Sequence, residues 1–342
     1  MRILLVHPGP EFSVADVYSG YAEAFAALGH EVRGFELNDR LAFYTNVEID
    51  GRHYDTEQAI QMVNKHLEAK CYEFMPDVVI VISGFFINQF TWDLWKHRPH
   101  QIVALYTESP YEDDKQLAVA EAAMPDLVVV NDPINLDKYR QRGLRTFYVP
   151  HSYRPERHRP DNEAPTLWDF AFVGTGYPSR VEFFEQVNWD GLSVALGGHW
   201  AHLDIESRLR SFLVHHVEEC LDNEQASRIY QRSRVSANLY RAGRGYGTIE
   251  ANKPHLAEGW AMGPREVELA ATGTFFARES RGESDLLFPM LPIINEPKEL
   301  ESIIRWAINN DDQRTEAANK ARAAIADRTF NNHARRILAL LP

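Results

Sequence analysis

Two cysteines in 342 residues, Cys71 and Cys220, leave little room for cysteine chemistry. They stand in different halves and in no metal-ligand spacing, and they cannot build a disulfide framework. We read both as free thiols. Long hydrophobic runs are missing too. The longest, VVIVISGFFI at 78–87, is about half of what a membrane-spanning helix needs. The ILLV run behind Met1 is too short for the core of a secretion signal. These absences lead us to expect no stable membrane anchor and a cytoplasmic location. A surplus of positive charge is also missing: 36 Lys and Arg face 49 Asp and Glu, a net charge of −13. Proteins that grip a nucleic-acid backbone along their length cluster Lys and Arg. The balance here argues against that class, while leaving room for a local basic cleft. Internal repeats and low-complexity tracts are absent.

What is present is ordinary globular composition, 44% hydrophobic and 25% charged. The length suits two domains of roughly 100–200 residues each. RILLVHPGP reads as a buried parallel strand broken by Pro and Gly. VYSGYAEAFAALG follows as a helix, and HEVRGFEL as a second strand. After a helical stretch around TEQAIQMVNKHLEAKCYEF, strands recur at PDVVIVISG, QIVALYTES, PDLVVVND and TFYVPHS. Beyond Pro150 the texture changes to a charged stretch carrying Pro155, Pro160 and Pro165, which reads as a linker. A second series then begins: strand DFAFVGTG, helix PSRVEFFEQV, strand LSVALGG, helix NEQASRIYQRS, strand VSANLYR and strand TFFARES. Helices PKELESIIRWAINN, DQRTEAANKARAAIADR and FNNHARRILALL finish the chain. Alternating strands and helices imply open parallel sheets. We therefore expect an α/β fold of two Rossmann-like domains, 1–150 and 151–326, with 327–342 a terminal helix packing across both. Ligands in such folds bind at the carboxyl ends of the strands, here facing a central cleft.

Two stretches carry candidate chemistry. VGTGYPSR, with Gly174, Gly176 and Arg180, is a glycine loop between a strand and a helix. It falls short of a dinucleotide fingerprint: Ser179 takes the third glycine's place, and the next strand ends in Gly197-Gly198-His199-Trp200, without an acid for a ribose. Its backbone can still let a phosphate approach, with Arg180 as counter-charge; the alternative is a tight turn. The second stretch is GPREVELAATG at 263–273. Pro264 suits the first helical position. The free N–H groups and partial positive charge of a helix start then join Arg265 in a site suited to a diphosphate. Glu268 lies one turn deeper on the same face, where a carboxylate can accept both hydroxyls of a ribose diol. The alternative is an i,i+3 ion pair on a solvated helix, worth about 0.2–0.5 kcal/mol. The approach to this helix, 240–263, holds Arg241, Arg244 and Lys253 among five glycines, as a basic lid over an anionic ligand would.

At this point the chain resembles the GT-B-fold glycosyltransferases, and among them those related to spore maturation proteins, which also occur in bacteriophages. The likeness runs through ILLVHPGP, VVNDPINLDKYRQRGLRTFYVPHSYRPERHRP, FVGTGYPSR, YQRSRVSANLYR and EPKELESIIRWAI, and is most specific at R-x-x-E-x-x-A-x-G. The resemblance implies a nucleotide-sugar donor, UDP- or GDP-linked, in the second domain and an acceptor in the first. Arg265 would face the pyrophosphate and Glu268 would bind the ribose. Many retaining relatives carry an earlier Glu with seven residues between; here that position is Trp260, with Glu258 two places off.

No cofactor and no metal are expected. YEDD at 111–114 follows a proline-containing loop, so Glu112, Asp113 and Asp114 read as an acidic helix start. An inverting transfer needs a general base. His7 and Glu108 each follow a strand and are the candidates, and His151 at the linker is a candidate phosphate contact. Tyr106, Tyr177 and Trp200 could stack on a base or sugar, with core packing the alternative. The acceptor is open, with protein, modified DNA bases and small molecules all compatible. A non-catalytic two-domain binding protein and a nucleotide-sugar isomerase are the competing readings.

Overall fold

The computed structural model describes residues 1–10, 15–49, 51–241, 243–244, 251–252 and 259–341. The chain divides into two units. One comprises 1–150 with 330–342, the other 151–329.

The first unit opens with β1 (Arg2–Val6), whose last four residues are buried. Then come α1 (Ala15–Ala27), β2 (Glu31–Phe35), α2 (Leu37–Asn46) and a short hairpin of β3 (Glu48–Ile49) and β4 (Arg52–His53). Asp55 caps α3 (Thr56–Phe74) by accepting the Gln58 N–H, while Gln58 accepts the Asp55 N–H in return. Next are β5 (Val78–Ile82), α4 (Gln89–Lys96), β6 (Gln101–Tyr106), α5 (Asp113–Ala123), β7 (Leu127–Val130), α6 (Leu136–Arg140) and β8 (Thr146–Tyr148). The six long strands form a parallel sheet in the order β2-β1-β5-β6-β7-β8. Because helices cover both faces, its central strands are apolar throughout, as in VVIVI of β5 and LVVV of β7.

The second unit has β9 (Trp168–Val173), α7 (Pro178–Glu185), β10 (Val194–Gly197), α8 (Asn223–Gln231) and β11 (Ser233–Asn238). A short antiparallel pair, β12 (Gly243–Arg244) and β13 (Ala251–Asn252), precedes α9 (Pro264–Thr272) and β14 (Phe275–Arg278). Helices α10 (Gly282–Leu287), α11 (Pro297–Ile308) and α12 (Asp311–Ala324) complete it. Its parallel sheet runs β10-β9-β11-β14. The last helix, α13 (Phe330–Ala339), belongs to the first unit. Phe330 meets Tyr21 edge-on at 5.0 Å and lies where a side chain at Gly20 would stand, so α1 and α13 approach closely there.

The topology places the functional edges. In the first sheet the order reverses between β1 and β5, in the second between β9 and β11. Crevices open at such switch points beyond the carboxyl ends of the strands, and ligands of open α/β folds bind there.

Candidate functional site

Helix α9 starts as its sequence dictates. Gly263 precedes Pro264 at the first helical position, where a missing N–H costs nothing. Gly273 closes the helix in the left-handed region at φ 74°. Between them Arg265 reaches across the switch point of the second sheet. Its Nε donates to Val173 O at the end of β9 (2.9 Å), and its Nη1 to Asn238 Oδ1 at the end of β11 (3.2 Å). The guanidinium carbon lies 4.8 Å from the Phe172 ring centroid. All these partners are neutral. Among the described residues no carboxylate comes within 4.0 Å of Arg265, so the i,i+3 ion pair with Glu268 does not form. Glu268, half-buried, accepts from Asn223 Nδ2 at 3.2 Å. Burial raises its pKa, against the pull of Arg265, the Asn223 hydrogen bond and Arg154. Asn223 opens α8 and Arg154 comes from the segment before β9; neither stands out in the sequence.

The glycine loop has a different cause from the one expected. A side chain at Gly174 would stand 2.3 Å from Arg265 Nη2, and one at Gly176 would stand 2.3 Å from the Trp200 ring. The two amides are also committed, Gly174 N–H to Gly197 O (2.9 Å) and Gly176 N–H to His199 O (2.8 Å). The glycines therefore make room for Arg265 and Trp200 rather than cradling a phosphate with their own N–H groups. Arg180 is corrected likewise. It is buried, Nε and Nη2 both donate to Leu239 O (3.1 and 2.6 Å), and Nη1 donates to Thr175 O (2.9 Å). It ties the loop to the end of β11 instead of standing out as a counter-charge.

This packing predicts an order of damage. Gly174→Ala pushes aside only the tip of a flexible side chain and costs about 1 kcal/mol through the lost Arg265 hydrogen bonds. Gly198→Ala is worse. Its φ is +97°, and the new Cβ would stand 2.4 Å from Gly174 O, a backbone atom. A cost of roughly 3 kcal/mol or more follows from strain and overpacking together. Thermal unfolding of the two variants should rank them in this order, and equal midpoints would refute the packing account.

The remaining candidates separate. Glu108, buried, follows β6 and accepts from Ser83 Oγ (2.7 Å), which follows β5; its own N–H donates to Gln116 Oε1 (3.1 Å). His7 follows β1, and its Nδ1 accepts the Gly9 N–H at 3.1 Å. The neutral ring then carries its proton on Nε2, and burial lowers its pKa against Glu36 and Asp39. In that tautomer Nε2–H is a hydrogen-bond donor. His151 is half-buried. Burial drops its pKa to about 4, opposed by Glu283 and assisted by Arg328 and Arg281, so its ring is neutral at neutral pH in the nucleotide-free chain. Tyr106 and Trp200 are core residues, while Tyr177 lies under the Arg180 guanidinium at 5.0 Å. Asp113 and Asp114 open α5, and Asp113 accepts from Ser109 Oγ at 2.5 Å. Arg241 is half-buried just beyond β11. Lys253 and Glu258 lie outside the described residues. Among the described residues no three His, Cys, Asp or Glu side chains group as metal ligands, and no helix is long and apolar enough to cross a membrane.

One residue that the sequence reading passed over is central. Glu266, between Arg265 and Glu268, is fully buried. Its Oε1 accepts from Ser284 Oγ (2.5 Å), and its Oε2 from Gly263 N–H (3.1 Å) and the Tyr240 hydroxyl. A Glu at the third helical position reaching back to the N-cap is a legible pattern.

Known proteins complete the picture. Residues 169–339, half of the chain, match the family model described as glycosyl transferase-like. No curated protein matches. Similar solved structures include sucrose-phosphate synthase from Thermosynechococcus elongatus, 14% identical, covering 99% of this chain and 98% of that one with a TM-score of 0.68. Anabaena HepE in complex with UDP-glucose is 12% identical, covering 99% of both chains at a TM-score of 0.63. Trehalose-6-phosphate synthase OtsA is 10% identical, covering 100% of this chain and 99% of that one at 0.65. The chain belongs to the glycosyl transferase-like family, on a two-domain α/β fold that matches GT-B glycosyltransferases.

Proposed function

We propose that the protein transfers a sugar from a nucleoside diphosphate sugar to an acceptor, without a metal. The observation that carries this reading is the Arg265 guanidinium, held across the switch point by neutral acceptors, with no carboxylate within 4.0 Å among the described residues. As the bond from the anomeric carbon to the diphosphate breaks, negative charge grows on the departing oxygen. A fixed cation and a helix N-terminus stabilise that charge. Glu268, one turn on, takes the ribose diol. UDP-glucose is the first donor to try, since HepE is known in complex with it and an E. coli relative of similar fold with UDP-2-fluoro glucose. GDP-linked donors follow. The R-x-x-E-x-x-A-x-G run supports placing the protein with the spore-maturation-related and bacteriophage enzymes. Glu108 is our candidate for the base that takes the acceptor's proton, and the acceptor is a protein, a modified DNA base or a small hydroxyl compound.

The test is thermal unfolding against UDP-, GDP-, TDP- and CMP-sugars. A ligand at a hundred times its Kd adds about 2.7 kcal/mol to the native state. A shift with one nucleotide class fixes the base; no shift with any would sink the donor reading. Glu268→Ala should weaken the responsive nucleotide by roughly 1–3 kcal/mol, about 5- to 150-fold, in titration calorimetry. Undiminished affinity would remove Glu268 from the ribose.

A further inference from the structure

The Glu266 carboxylate joins three pieces of chain that border the start of α9. Tyr240 stands two residues beyond β11, Gly263 is the N-cap of α9, and Ser284 lies in α10; each donates a hydrogen bond to it. The pieces are braced further. Arg281 lies over the Tyr240 ring at 3.6 Å and donates to Ala261 O at 3.0 Å. Met262 N–H donates to Glu283 Oε2 at 2.8 Å. Consecutive amides, Met262 and Gly263, thus end on two buried carboxylates, both drawn from elements that flank the site. Taking a carboxylate out of water is costly unless its oxygens are satisfied, and an apolar side chain in the same place would be cheaper. What an apolar side chain cannot do is hold three separate donors in one geometry. Glu266 also sits one residue after Arg265 and two before Glu268, so whatever fixes Glu266 fixes the rotation of α9 about its axis.

Resting on the donor reading above, we propose that Glu266 is a positioning residue: its carboxylate locks Tyr240 beyond β11, residues 261–263 and α10 into one frame and so aims Arg265 and Glu268 at the nucleotide. The lock works through hydrogen-bond geometry rather than charge. In Glu266→Gln the amide oxygen can take the place of Oε2 and keep Gly263 and Tyr240. Its NH2 then faces Ser284 Oγ, a hydroxyl that turns to accept. Glu266→Ala leaves all three donors without their acceptor.

The experiment compares Glu266→Ala, Glu266→Gln and Tyr240→Phe with the parent chain, using UDP and UDP-glucose in titration calorimetry. A 15N spectrum of the nucleotide-free protein is recorded alongside. Glu266→Ala should bind at least tenfold more weakly while folded, Glu266→Gln within threefold of the parent, and Tyr240→Phe in between. In the spectrum, the Arg265 Nε–H bonded to Val173 O should give a slowly exchanging signal, assigned by its loss in Arg265→Lys. Glu266→Ala should lose that protection and Glu266→Gln keep it. A folded Glu266→Ala with parental affinity and an intact Arg265 signal overturns the proposal, and so does a Glu266→Gln as impaired as the alanine. If Glu266→Ala does not fold, Tyr240→Phe decides: no change in affinity or in the Arg265 signal overturns it. A parent chain that binds neither nucleotide refutes the UDP donor instead, and the Arg265 signal then decides on Glu266 alone.

Discussion

Arg328→Ala is expected to cost the second unit about 3–5 kcal/mol, the usual result of stranding one member of a buried ion pair. Arg328 Nη2 lies 2.6 Å from Glu283 Oε1, with the two side chains 10% and 2% exposed. The damage comes from the carboxylate left behind, not from the value of the pair itself. Replacing both partners with apolar residues of similar volume should therefore recover part of the loss, the remainder being the Met262 N–H that Glu283 Oε2 no longer accepts. The pair also sits at a joint. Tyr153 N–H donates to Arg328 O at 3.0 Å, and Tyr153 bridges Thr329, so the first and last stretches of the unit run side by side there. Five of the seven tryptophans, Trp168, Trp189, Trp200, Trp260 and Trp306, belong to this unit, so urea unfolding followed by tryptophan emission reports mainly on it. A single variant as stable as its parent, or a double variant worse than the single, would contradict the buried-pair account.

None of that joint is legible in the sequence. Glu283 and Arg328 are two charged residues 45 positions apart, in segments whose composition reads as solvated. What the sequence does disclose follows from local rules. Buried parallel strands must be apolar on both faces, so ILLV, VVIVI and LVVV announce themselves, and the two-sheet α/β architecture follows from their alternation with helices. Short elements escape the same rules. Helix α10 has only six residues, too few for a period to emerge. The same division holds inside the site. The start of α9 at Pro264 and the common face of Arg265 and Glu268 are properties of one helical segment and can be read from spacing. The purpose of Gly174 and Gly176 cannot, because the atoms that exclude a side chain there come from Arg265 and Trp200, brought in by the fold. Arg180 looks like a surface cation until the carbonyl of Leu239, at the far end of β11, is seen to claim it. Glu266 is legible only in part, in its reach back to the helix N-cap. Its neighbours face the candidate donor site, and only the arrival of Tyr240 and Ser284 makes its carboxylate a buried acceptor.

Arg265→Ala should reduce turnover of the donor by roughly 10²- to 10³-fold, about 2.7–4 kcal/mol, the scale seen when one preorganised donor to a developing anion is removed. Hydrolysis of the donor in the absence of acceptor, in which water takes the sugar and nucleoside diphosphate leaves, measures this directly, because breaking the anomeric bond still needs the leaving group stabilised. The effect should fall mainly on kcat, since the charge on the diphosphate rises as the bond breaks. Arg265→Lys should not restore it. The observed geometry uses two different nitrogens, Nε on Val173 O and Nη1 on Asn238 Oδ1, and Nη2 lies over Gly174. An ammonium offers neither the planar fork nor the reach to serve both strands and a phosphate together. Folding should survive, because Arg265 gives up two hydrogen bonds to neutral acceptors, each worth about 1 kcal/mol, and Val173 O keeps the Tyr230 hydroxyl as a donor. The midpoint of thermal unfolding should therefore move by only a few degrees while turnover collapses. Full turnover in Arg265→Lys would show that charge alone suffices, and full turnover in Arg265→Ala would remove the switch-point cation from the reaction.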